Sequence, residues 1–468
     1  MKKYYFVTRK LIMLVIPLIL LHIFSYGEDL KIGAASVRIT PPLGIPMAGY
    51  YYERGAEKVH DDLYAKAMVI EKDNVKVAIV SCDLIEVSSD IVAKVRSLAE
   101  KSTGIKGDNI MIEATHSHTG PVIPSAGGID NPLGKSAEIL SSYLVKLPGF
   151  IIESIKQAND ALKPGKFSFG RGEEESISFN RRFFMTDGTV GWNPGKMNPK
   201  IIKPAGPIDP EVSVLFAEGL DGNPVSTYVN FALHLDIVGG LEISADMPFT
   251  LSTILGKVKG ENMITMYAQG CCGNLNHINV KTKEPQKGHN EAQRIGTILA
   301  GEVIKTYSRM NPLDVSSIKV KREIVQLPLA DISGKDITKA KEIAASSGKP
   351  DAAPFLEQVD AFKTLDVYNR KGKPIDTEIM VIALGDKCAI VSFPGEIFVE
   401  LGMYIKSRSP YPYTMVVELT NGSGDYVPDR KAYVEGNYEP ISARCAPGSG
   451  EILVERALKM LNELIKNN

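Results

Sequence analysis

The sequence predicts an α/β fold with mixed or parallel sheets packed against helices. Apolar runs of strand length recur along the chain, amphipathic stretches of helical length lie between them, and several runs end in polar or small-residue turns. Residues 75–81 (VKVAIVS) suit a buried strand, and residues 109–114 (NIMIEA) form the next. Between them, residues 88–102 carry Ile91, Val92, Val95 and Leu98 on one side of a helix. Residues 136–161 read as one long helix or two, and residues 450–465 as an amphipathic helix. Further strands are expected at 224–232, 263–268, 379–384, 388–392 and 414–419. The stretch 315–376, rich in Lys, Ala, Ser and Asp, is expected to be a surface excursion with one or two helices. No low-complexity linker marks a domain boundary.

The tetrapeptide Ala78-Ile79-Val80-Ser81 recurs as Ala389-Ile390-Val391-Ser392. Each copy is followed by an acidic residue (Asp83, Glu396), a helical run and a second strand, then a polar turn: Thr115-His116-Ser117-His118 in one, Thr420-Asn421-Gly422-Ser423 in the other. Chance and duplication both account for so short a match. Duplication would bring polar loops of two related halves together at strand ends, where open α/β sheets place their sites.

The 468 residues hold 54 Lys+Arg and 55 Asp+Glu, a formal charge of −1. This leaves no basic excess to neutralise phosphates, so nucleic acid is not an expected partner. Lys2, Lys3, Arg9 and Lys10 precede an apolar run at 11–24, followed by Ser25-Tyr26-Gly27. That layout is a secretory signal peptide with cleavage near Gly27, which divides the chain into a signal at 1–27 and one domain at 28–468 and predicts a periplasmic or secreted protein. The run is short for a spanning helix, so no membrane segment is expected after cleavage. Loss of those four cations and no acidic residue takes the formal charge from −1 to −5. Cys82, Cys271, Cys272, Cys388 and Cys445 are odd in number, so at least one thiol stays free or pairs between chains. Cys82 and Cys388 read as small buried apolar residues.

Seven histidines are present, and His22 leaves with the signal. His116 and His118 follow a strand, and residues two apart in extended chain project to one side. The pair therefore reads either as two metal ligands or as one loop-bonded and one exposed imidazole. His234 follows the apolar run 228–233, with Asp236 two residues on; a lone His there is more often structural. Glu396, in Phe393-Pro394-Gly395-Glu396, reads equally as a first-turn carboxylate of the next helix. Tyr426 and Tyr438 lie in a glycine-containing loop where tyrosines usually only pack. Residues 269–279 (QGCCGNLNHIN) allow close backbone approach to a ligand, or a tight turn in which Asn side chains satisfy the backbone.

In order, these segments resemble the neutral (non-lysosomal) ceramidase family. The likeness begins at 33–42 (GAASVRITPP), Met47-Ala48-Gly49-Tyr50 and 60–67 (HDDLYAKA). Its strongest piece is 114–121 (ATHSHTGP), similar to the family's THxHSGP signature. Asn180-Arg181, His234 with Ser244-Ala245-Asp246, Pro394-Gly395-Glu396, Gly424-Asp425-Tyr426-Val427 and Tyr438-Glu439 complete it. The resemblance implies a zinc hydrolase in which His116, His234, Glu396 and Tyr426 are ligands. It also implies that His118 and Tyr438 flank the reacting carbonyl and that Arg181 holds the substrate head group. Two imidazoles, a carboxylate and a phenolate are four donors compatible with a Zn²⁺ site open to water.

Two departures bear on the substrate. The family's GDVSPN-like motif corresponds to Gly273-Asn274-Leu275-Asn276-His277-Ile278, so Asn276 stands where the family has Ser and cannot serve as a hydroxyl nucleophile. Asn276 can instead donate a hydrogen bond to a substrate oxygen. The chain also ends one helix beyond Tyr438-Glu439, and no C-terminal Ig-like domain is expected. The implied reaction is water attack on the carbonyl of a lipid or small-molecule amide or ester, with ceramide as the family's case. An esterase, lactonase or amidase for a polar or carbohydrate-derived acyl compound is the alternative. An inactive binding protein on the same scaffold is the third reading.

Overall fold

In the computed structural model, residues 30–124, 136–349 and 351–466 are described. The expected signal at 1–27 lies outside them. A nine-stranded sheet runs in the order Ile264–Gln269, Pro224–Phe231, Glu211–Gly219, Lys163–Glu173, Lys31–Arg38, Tyr64–Lys72, Val75–Cys82, Ile110–Ala114, with Asn311–Leu313 added beside Lys163–Glu173. A four-stranded sheet runs Ile318–Leu327, Ile375–Leu384, Cys388–Ser392, Tyr413–Val417. Both are mixed, with parallel pairs at Val75–Cys82/Ile110–Ala114 and Cys388–Ser392/Tyr413–Val417.

The near-continuous apolar runs follow from burial of both sheet faces. Along Tyr64–Lys72 and Val75–Cys82, Met68, Ile70, Val77 and Ile79 face the second sheet. The alternate residues Ala67, Val69, Ala78 and Val80 face helices Ser89–Thr103 and Ser136–Asp160. The smaller sheet repeats this: Met380, Ile382 and Ile390 enter the core between the sheets. Val381, Ala383 and Val391 pack outward with helices Val399–Arg408 and Ser449–Lys466. The other half of the large sheet is covered by Met247–Lys259 and His289–Tyr307. The result is helix, sheet, sheet, helix in four layers.

The recurring tetrapeptide marks the same β-β-α-β unit in both sheets. Their strand ends meet: Glu113 bridges Thr420, Asn421 N–H donates to the Ile112 carbonyl at 2.8 Å, and Asn421 Oδ1 accepts from Ile112 N at 2.8 Å.

One expectation needs correction. The stretch 315–376 is not wholly an excursion: Ile318–Leu327 is the edge strand of the smaller sheet, paired along its length with Ile375–Leu384. Its lysines, Arg322 and Glu323 are the charges by which sheet edges avoid pairing with other chains, and they disguise it as surface. Helices Ile337–Ser346 and Phe355–Asn369 form the excursion proper. All five cysteines are free and buried. Among the described residues no helix is long and apolar enough to cross a membrane.

Candidate metal centre

The loop after Ile110–Ala114 is pinned by backbone donors: Thr115 to Cys82 O at 2.9 Å, His116 to Leu84 O at 2.9 Å and Ser117 to Leu84 O at 3.1 Å. His116 has φ 72°, so the chain turns here instead of continuing as a strand. His116 and His118 still point to one side, but a turn places them there, not a pleat. Ser117 points away and donates to Ser244 O at 2.7 Å. His116 Nδ1 donates to the Ile85 carbonyl at 3.0 Å, and His118 Nδ1 to the Gly49 carbonyl at 3.1 Å. A carbonyl only accepts, so Nδ1 carries a proton in both rings, and in the neutral form Nε2 is a bare lone pair aimed inward.

His234, at the end of Pro224–Phe231, completes the cluster. His118 Nε2 lies 3.3 Å from His116 Nε2 and 3.1 Å from His234 Nε2. Glu396 Oε2 lies 3.6 Å from His116 Nε2 and 3.5 Å from His234 Nδ1. Glu396 does not cap the following helix, whose N-cap is Phe398. It pairs with Tyr426 in a short parallel bridge of Glu396–Ile397 with Tyr426–Val427.

Burial pushes the His118 imidazole down to about 4 and His234 well below its ordinary value, so both are neutral. Burial raises the Glu396 carboxyl, but His116 and Arg181 outweigh it and hold it below the usual carboxylate range. Burial also holds the Tyr426 and Tyr438 hydroxyls protonated.

This donor set fits a divalent ion. At ordinary zinc–nitrogen distances, tetrahedral ligand nitrogens stand about 3.3 Å apart, which matches the spacings of 3.1 and 3.3 Å. Neutral His118 and His234 beside an ionised Glu396 are protonation states that suit a metal. Glu396 Oε2 is buried without a hydrogen-bond partner among the described residues. An unsatisfied buried carboxylate oxygen 3.5 and 3.6 Å from two imidazole nitrogens has the character of a ligand atom.

Arg181 adjoins this centre and lines a cavity beside it. Its Nε donates to Glu439 Oε1 at 2.9 Å and its Nη2 to Gly273 O at 2.7 Å, while Nη1 is 3.5 Å from His234 Nδ1. Its guanidinium lies 5.4 Å and 6.0 Å from the Tyr426 and Tyr438 ring centres. Tyr438 meets Tyr51 hydroxyl to hydroxyl at 3.3 Å and packs on Trp192.

In the 269–279 segment the close backbone approach at Gly273 is to the protein itself, while Asn276, His277 and Ile278 line a cavity. A side chain at Gly273 would meet the Glu396 backbone, and Asn274 accepts from Val399 N at 2.9 Å. Asn276 lines the cavity, its Nδ2 donating to Asn193 Oδ1 at 2.7 Å and its Oδ1 accepting from Ile278 N at 3.0 Å.

Two cavities open onto the histidines. One of about 1130 Å³ has an aromatic wall of Tyr50, Tyr51, Trp192, Phe355 and Tyr438, with Asn193, Lys196, Asn276 and Lys287 beside it. The other, of about 1160 Å³, is lined by charged groups including Glu86, Arg96, Asp366, Asp425 and Arg444. Gly49, Tyr50, Tyr51, His118, Tyr426 and Tyr438 border both.

Several residues of the centre carry no sequence signal of their own. Tyr50 donates to Asp236 at 2.5 Å, and Asp236 lies 3.9 Å from His118 Nδ1. Arg54 donates to the His118 carbonyl at 2.7 Å and covers the Tyr50 ring. Glu418 accepts from Ile397 N at 2.6 Å and from Cys272 at 3.0 Å. The MAGY segment and the spacing of Asp236 after His234 were the available signals for the first pair.

Residues 30–189 match the family model described as neutral/alkaline non-lysosomal ceramidase, N-terminal. A neutral ceramidase of Pseudomonas aeruginosa is 27% identical over 199 residues, 41% of this chain and 28% of that protein. The matched sequence thus spans well under half of that relative. The crystal structure of neutral ceramidase from Pseudomonas aeruginosa superposes with a TM-score of 0.74 at 19% identity, over 94% of this chain and 75% of the other. A ceramidase complexed with C2 superposes with a TM-score of 0.74 at 20% identity, over 94% and 76%. In its N-terminal part the sequence is similar to the neutral/alkaline non-lysosomal ceramidases, and over nearly its whole length the fold is similar to that of neutral ceramidase.

Proposed function

We propose that this protein is an exported, zinc-dependent hydrolase that cleaves an amide or ester carbonyl by water attack, in the manner the ceramidase likeness implies. The observation that carries the reading is the convergence of His116, His118 and His234, with the His118 Nε2 atom 3.3 and 3.1 Å from the other two Nε2 atoms, beside the unpartnered Glu396 oxygen. The ceramidase likeness assigns the ion to His116, His234, Glu396 and Tyr426, and leaves His118, whose spacing to the other two histidines would also suit a ligand, as the proton carrier. A zinc ion there lowers the pKa of bound water towards ~7 and polarises a carbonyl.

The chain's own groups supply the rest. His118 offers a bare Nε2 on the border of both cavities, and Asp236 on its Nδ1 side favours the imidazolium when a proton arrives. The Tyr438 hydroxyl, protonated by burial, donates to the developing oxyanion. Arg181, clamped by Glu439, fixes the Tyr426 and Tyr438 rings. Asn276 has no hydroxyl, so no acyl-enzyme forms through that position.

Ceramide is the substrate named for the relatives. The asparagines and lysines beside the aromatic wall favour a second reading, a polar acyl amide, ester or lactone. Turnover of a short-chain fluorescent ceramide against a panel of acyl esters and lactones separates the two. His116→Ala and His234→Ala should each lose the zinc of this centre together with activity; full activity in metal-free protein overturns the reading.

A further inference from the structure

A second histidine pair lies apart from the catalytic cluster. His60, beside the Lys58–Val59 strand, and His289, the first residue of helix His289–Tyr307, stack face to face. Their ring centres are 3.6 Å apart and their planes 7° from parallel. His60 Nδ1 lies 2.8 Å from Asp61 Oδ2, and His289 Nε2 lies 2.8 Å from Glu242 Oε2. An ionised carboxylate accepts, so each ring carries a proton on that nitrogen. In the neutral His289 ring, Nδ1 is then a free lone pair, its tautomer fixed by Glu242 as carboxylates fix metal-binding histidines. An ion shared by His60 and Asp61 would take the place of the proton on His60 Nδ1, which is released to solvent.

One nitrogen from each ring and an Asp61 oxygen lie within 4.8 Å of one another. The His60 and His289 side chains are 42% and 28% exposed, so an ion reaches them from solvent and the rings have room to turn out of the stack. Asp61 and Glu242 bring negative charge, opposed only in part by Lys58, 3.8 Å from Glu242.

We propose that His60, His289 and Asp61 form a second metal site, for an imidazole-preferring transition-metal ion such as Zn²⁺ or Ni²⁺. Coordination requires the two nitrogens to close to about 3.3 Å, by rotation of the exposed His60 ring. The site is structural in character. Asp61 accepts from Ser244 Oγ and Ala245 N, each at 2.7 Å. The Ser244 carbonyl in turn accepts from Ser117 Oγ at 2.7 Å and Thr119 Oγ1 at 2.9 Å. An ion here ties the start of the His289–Tyr307 helix to the segment that braces the His116–His118 loop from behind.

The test is metal content of the untagged full chain, equilibrated with Zn²⁺ alone and desalted. The native chain should retain two equivalents. His116→Ala/His234→Ala should retain one, and its unfolding midpoint should rise with added Zn²⁺. His60→Gln/His289→Gln should also retain one equivalent. Adding that pair to His116→Ala/His234→Ala should abolish both the remaining ion and the midpoint rise. No ion retained by His116→Ala/His234→Ala, or an unchanged count after His60→Gln/His289→Gln, overturns the proposal. Because the readout in the His116→Ala/His234→Ala background does not involve the catalytic centre, it stands or falls independently of the hydrolase reading. If the glutamine pair unfolds by circular dichroism, Asp61→Asn is measured in its place with the same two outcomes.

Discussion

His118 Nδ1 donates to the Gly49 carbonyl at 3.1 Å, and only glycine leaves room for that bond. A Cβ at position 49 would collide with the His118 ring, and the backbone there has φ 96°. The glycine therefore fixes the His118 tautomer and aims Nε2 at the centre. Gly49→Ala should lower kcat by roughly 10- to 100-fold, the usual effect of losing the outer partner of a site histidine. Bound zinc, measured in the same preparation, should change little if His118 is a proton carrier. Wild-type kcat in Gly49→Ala would remove Gly49 from the machinery.

His118 itself separates two arrangements. As a proton carrier, its replacement by Ala should leave one equivalent of metal at the centre and reduce turnover by about 10²- to 10⁴-fold. As a ligand, the position its spacing to His116 and His234 would also allow, its replacement should release the metal. Metal content and single-turnover rate of His118→Ala, read together, decide between them.

Much of the fold is legible because both faces of each sheet are covered, so Val77 to Val80 and Met380 to Ala383 read as unbroken apolar runs. The edge strand Ile318–Leu327 is not, because its outward residues are chosen for solubility and not for packing. At the centre, the histidines and Glu396 are visible as residue types. The partners that orient them are not: the Ile85 and Gly49 acceptors are carbonyls, which any residue supplies. Tyr50 and Asp236 meet only through the tertiary fold, and so do His60 and His289. Asn276 is legible as a departure, yet its bonds to Asn193 and Ile278 appear only in three dimensions.

Glu439 offers a test of how the centre is supported. It is buried, with one oxygen 2.9 Å from Arg181 Nε and the other 2.9 Å from Arg182 Nη1. Its replacement by Gln leaves two buried guanidinium groups short of a counter-charge. Removing one partner from such a pair typically costs about 3–5 kcal/mol. Arg182 keeps Glu435 at 3.2 Å, so the lower end is expected. Urea unfolding of Glu439→Gln measures it, and an unchanged midpoint would show that the buried pairs contribute nothing net.

Glu113 predicts a pH dependence of stability. It lies where the two sheets' strand ends meet, fully buried, and accepts from the Tyr228 hydroxyl at 2.7 Å. Burial raises its carboxyl to about 8, and the Tyr228 bond offsets this only in part. The folded protein therefore holds a proton between the ordinary carboxylate pKa of about 4.5 and 8 that the unfolded chain has released. Stability from this group is greatest below about 4.5, falls as pH rises through that window, and levels off above 8. The loss amounts to roughly 2–4 kcal/mol after discounting for relaxation around the charge. Glu113→Gln, which keeps a neutral group of the same shape, should remove that slope. Urea midpoints at pH 5 and pH 9 should differ less in the variant than in the native chain, with the variant the more stable of the two at pH 9. Parallel pH profiles for the two proteins would mean that Glu113 is ionised in the folded state.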